Sequence, residues 1–144
     1  MIEKDTVRLL RECDAGIKMG VESIDEVVDR VNDPDFRRCL VECKKSHETL
    51  GDEIRSALDR FGDDGKNPNP IARGMSFMKT EAEMLMNGSD ATVADLMTYG
   101  CNMGVKSLSK YLNQYKAADE DSKSIAKRLI SLEERLAQDI RRFL

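Results

Sequence analysis

Gly-Ile-Lys-Met-Gly-Val-Glu-Ser-Ile at residues 16–24 and Gly-Cys-Asn-Met-Gly-Val-Lys-Ser-Leu at residues 100–108 are one phrase written twice. At an offset of 84, Gly16/Gly100, Met19/Met103, Gly20/Gly104, Val21/Val105 and Ser23/Ser107 are identical, and Ile24/Leu108 is conservative. A phrase repeated at a fixed offset suggests a duplicated supersecondary unit. The flanking periodicity says which unit. Leu10, Cys13, Ile17, Val21, Ile24, Val28 and Val31 recur at spacings of three and four, which predicts a helix A from about Asp5 to Val31. Around the second copy, Val93, Met97, Cys101, Gly104, Leu108, Leu112 and Tyr115 predict a helix C from about Ala91 to Ala117.

Each of these helices has a partner downstream. Asn32-Asp33-Pro34 is a stop and a restart, with Asp33 suited to an N-cap and Pro34 to the first helical position. Helix B follows, with Phe36, Leu40, Cys43, His47, Leu50, Ile54, Leu58 and Phe61 on one stripe. After a turn at residues 118–121, helix D carries Ile125, Leu129, Leu132, Leu136, Ile140 and Phe143. Helix B maps on helix D at an offset of 89, pairing Phe36/Ile125, Leu40/Leu129, Cys43/Leu132 and His47/Leu136. Turns this short make antiparallel hairpins. Between the hairpins, residues 62–69 are rich in Gly, Asp and Asn, and a further helix from Asn69-Pro70 to about Met86 is expected to climb back along the bundle. The expectation is one all-α domain over residues 1–144, a four-helix up-down bundle with an additional crossover helix.

Composition sets the outer bounds. The chain has 144 residues, 35% charged and 40% apolar, a globular balance with a sizeable core. The net charge of −4, with Lys and Arg scattered among acids, argues against a nucleic acid or an anionic membrane as partner. No run of about 18 apolar residues is present to span a membrane. The opening Met-Ile-Glu-Lys-Asp lacks the apolar segment of a signal peptide. A cytoplasmic location is therefore expected, with the four cysteines as thiols. The methionines of residues 75–86 leave apolar surface on more than one face of their helix, which suits a homodimer contact or an unknown protein partner.

Two helical hairpins joined by a long crossover resemble the ferritin-like superfamily. More narrowly, the chain resembles its small bacterial branch of unknown function. The stretch Ile-Ala-Arg-Gly-Met-Ser-Phe-Met-Lys-Thr from Ile71, the helix C phrase around Gly100 and the closing Leu132-Glu133-Glu134 carry the likeness. The archetypal members hold two iron ions, with a Glu from each of two helices and Glu-x-x-His from each of the others. This chain departs from that pattern. It has one histidine. Helix B reads Lys44-Lys45-Ser46-His47, so the histidine is kept and the glutamate is lysine; helix D reads Glu133-Glu134-Arg135-Leu136, so the glutamate is kept and the histidine is leucine. His47 lies about fourteen residues past the A–B turn, which places it level with Gly20 and, through the repeat, with Gly104. Glycine ligates nothing, and a di-iron pair needs oxygen donors.

The candidate chemistry gathers around that level. His47 reads either as a buried histidine partnered by Glu133 or a carbonyl, or as a metal ligand or base. Cys43 and His47, one turn apart, could chelate one zinc or iron with Cys101 and Glu133 completing the set; Cys39 stands about 12 Å from His47 along the axis, too far to join. Otherwise these cysteines are small core residues. Gly16, Gly20, Gly100 and Gly104 smooth two helices at a cost of about 1 kcal/mol each against alanine. They allow either close helix packing or a small cavity beside His47. No Ser-His-Asp set, nucleophile elbow or phosphate loop is present. The sequence thus points to a non-catalytic ferritin-like bundle with a decayed metal site and no resident cofactor, serving as an interaction protein or, as the resemblance implies, a stress-associated one. A single-metal protein and a small-molecule binder are the alternatives.

Overall fold

A computed structural model of the protein describes residues 2–68 and 89–144. The crossover helix expected over residues 70–86, with its methionines, lies outside the described residues. Among the described residues the α-helical structure is four long helices: α1 (Ile2–Val27), α2 (Pro34–Asp59), α3 (Asp90–Gln114) and α4 (Glu120–Asp139). At about 1.5 Å per residue, the two longest extend roughly 39 Å.

Local sequence sets the helix ends. α1 begins at Ile2, three residues before the expected start at Asp5, with Glu3 and Asp5 in the first turn, where carboxylates interact favourably with the helix dipole. It ends earlier than its apolar spacing suggests, tightening into a 3-10 turn over Val28–Arg30. Pro34 cannot follow a helical residue without a clash, so Asp33 is extended. Its carboxylate accepts from the N–H groups of Asp35 at 2.8 Å and Phe36 at 3.4 Å. Asp119 does the same for α4, accepting from Ser122 N at 2.8 Å. Each such cap stabilises its helix by about 1 kcal/mol. Phe61, expected inward, is 37% exposed, because α2 ends at Asp59 and the helical spacing no longer governs where its ring points.

Contacts at the bundle ends fix the helix directions. At one end, Asp90 at the start of α3 accepts from the backbone N–H groups of Asn32 (2.9 Å) and Asp33 (2.8 Å) in the α1–α2 turn. At the other end, Thr6 near the start of α1 accepts from Asp119 N (2.8 Å) and Asp5 from Ala117 N (3.0 Å), both in the α3–α4 turn. Hence α1 and α4 run one way, and α2 and α3 the other. Past α2 the chain turns back beside α1: Asp63 pairs with Arg11 at 2.8 Å, and Lys66 reaches Glu12.

The apolar interior falls into two clusters. One, toward the α1 N-terminus, is built on Leu9, Leu10, Ile17, Ile54, Leu58 and Leu129. The other, toward the α1–α2 turn, is built on Ile24, Phe36, Leu40, Met97, Leu136 and Ile140. Phe143, in the 3-10 turn after α4, stacks on Phe36 with ring centroids 4.6 Å apart. Between the two clusters lies a layer that holds charge.

Candidate functional site

The layer between the clusters takes one residue from each helix: Gly20 of α1, His47 of α2, Gly104 of α3 and Glu133 of α4. His47 is on the apolar stripe of α2 and is 1% exposed. Its Nδ1 lies 2.9 Å from the carbonyl oxygen of Cys43, one turn back, and 3.5 Å from the Cys43 Sγ. Its Nε2 lies 2.8 Å from Oε1 of Glu133. A carbonyl only accepts, so Nδ1 carries a proton and donates it. Nε2 then faces a carboxylate and needs a proton of its own to make that contact favourable. The arrangement therefore holds an imidazolium against a carboxylate. Burial by itself pushes His47 down; the hydrogen bonds to Cys43 and Glu133 and the charge of Glu133 outweigh it and raise His47 to about 10.

The glycines let this pair form. A Cβ on Gly20 would lie 2.8 Å from His47 Cδ2 and 2.9 Å from Nε2. A Cβ on Gly104 would lie 3.3 Å from Glu133 Oε2. Gly20 thus makes room for the imidazole, and Gly104 brings α3 against the carboxylate. Cys101, 2% exposed, hydrogen-bonds Glu133 from α3; burial first, then the neighbouring negative charge, push its thiol far up. It stands in the layer as a neutral donor.

Cys43, His47, Cys101 and Glu133 therefore do converge, but they are engaged with one another. Both histidine nitrogens have protein partners, and one carboxylate oxygen is held by the imidazole. Among the described residues no group of three or more His, Cys, Asp or Glu is arranged to hold a metal ion. The donor set does not fit a di-iron pair: two of the four helices bring glycine to the layer, and the histidine is bound to the glutamate.

Beside the ion pair a cavity of about 380 Å³ opens between α1 and α3, floored by α4. Gly16 and Gly20 form one wall and Gly100 and Gly104 the other; His47 and Glu133 are at mid-length. Met19, Met97, Leu108, Leu129 and Leu136 supply apolar lining.

A second polar feature was not legible in the sequence reading. Asp14, in α1, is 3% exposed. It accepts from Lys66 N at 2.9 Å and pairs with Lys18 Nζ at 2.8 Å. Gly65, at φ +89°, brings the chain close enough that a Cβ there would stand 2.4 Å from Asp14 Oδ2. The spacing Asp14/Lys18, one turn apart, was the signal available. Asp14 pins the loop after α2 along α1, at the edge of the cavity.

All four cysteines are free thiols. No helix among the described residues is long and apolar enough to cross a membrane. Comparison with known proteins finds no matching family model, no matching curated protein and no matching solved structure.

Proposed function

We propose that this protein is a non-catalytic ferritin-like bundle that binds a small apolar molecule, in the place where archetypal members hold metal. The cavity alongside the buried His47–Glu133 pair carries this reading: glycines stand at the layer where a metal would need oxygen donors, and the space beside them is lined largely by apolar side chains. Its size lies within the range of ligand sites, about 300–1,000 Å³. The pair and the glycines give the layer a structure that needs no ion.

The end contacts support a duplicated hairpin as the origin of the bundle. Thr6 binds the backbone N–H of Asp119, which caps α4; Asp90 binds the backbone N–H of Asp33, which caps α2. Thr6 and Asp90 differ by 84, the offset of the repeated phrase. Helices running in the senses α1 with α4 and α2 with α3 suit the ferritin-like connection, in which a crossover joins the hairpins.

One observation favours a second reading, a single-metal protein: two thiols, an imidazole and a carboxylate do lie together. Elemental analysis of protein purified without added metal separates the two. Under the leading reading the protein contains less than about a tenth of an equivalent of zinc or iron, and a chelator leaves its melting temperature unchanged. One equivalent of metal that disappears in His47→Ala would replace the leading reading with the second.

A further inference from the structure

We draw no further inference here: the strongest candidate, the groove between α1 and α3 beside the His47–Glu133 pair, belongs to the site already described, and nothing among the described residues shows what covers it.

Discussion

His47 and Glu133 form a couple whose members each make sense only with the other. A lone imidazolium or a lone carboxylate at this depth would cost several kcal/mol in lost hydration. Removing one partner is therefore more damaging than removing both. Glu133→Gln is expected to destabilise the fold by about 3 kcal/mol, whereas the double change His47→Leu with Glu133→Leu is expected to fall within about 1 kcal/mol of the parent or above it. Urea denaturation of the three proteins checks this. The proton gives a second handle. The folded value for His47, about 10, stands above its ordinary 6.5, so the folded state holds the proton more tightly than the unfolded chain. The stability this supplies is complete below pH 6.5 and is lost as pH rises through 10. Denaturation midpoints are expected to fall between pH 7 and pH 10 in the parent, with a shallower fall in the double variant.

At the scale of the helix, the repeated phrase contains two glycines with opposite consequences for substitution. An alanine at either position gains up to about 1 kcal/mol in helix propensity. At Gly16 the new methyl meets Leu129 at 3.5 Å, ordinary contact, so Gly16→Ala is expected to raise stability by about 0.5–1 kcal/mol. At Gly20 it meets the imidazole ring at 2.8 Å, backed by Glu133, so Gly20→Ala is expected to lower stability by about 1–3 kcal/mol. Thermal melts of the two variants, compared in sign, check this. Both glycines stood out in the sequence, and so did the level of His47, because helical rise alone places residues counted from a shared turn. Their difference did not stand out: it depends on which neighbour faces each Cβ. The helices themselves were legible, since their spacing, Asp33-Pro34 and Asp119 are local signals. Their ends shifted by a few residues where caps and end contacts outweighed the apolar stripe. The burial of Asp14 was hidden because the backbone N–H it accepts from, that of Lys66, lies in a loop 52 residues away.

On the scale of the molecule, two apolar cores are held at a fixed distance by a charged layer, and each end of the bundle is tied by side chains of one hairpin on the turn of the other. The sequence pattern pointed to the four-helix arrangement and to which residues would meet at mid-height. It offered both a buried His47 partnered by Glu133 or a carbonyl and a metal set with Cys43 and Cys101; donor counting cannot tell a ligand set from a hydrogen-bond network, and the structure has His47 on both Glu133 and the Cys43 carbonyl. That distinction is now a matter of protons. With one histidine in 144 residues, the imidazole ¹⁵N spectrum has a single source. In the metal-free protein at pH 8, both ring nitrogens are expected to be protonated, and one equivalent of zinc or ferrous iron is expected to leave their shifts in place. A ring that carries one proton at pH 8 and titrates near 6.5, or a nitrogen that shifts on addition of one equivalent of metal, would show that the layer is not a closed ion pair.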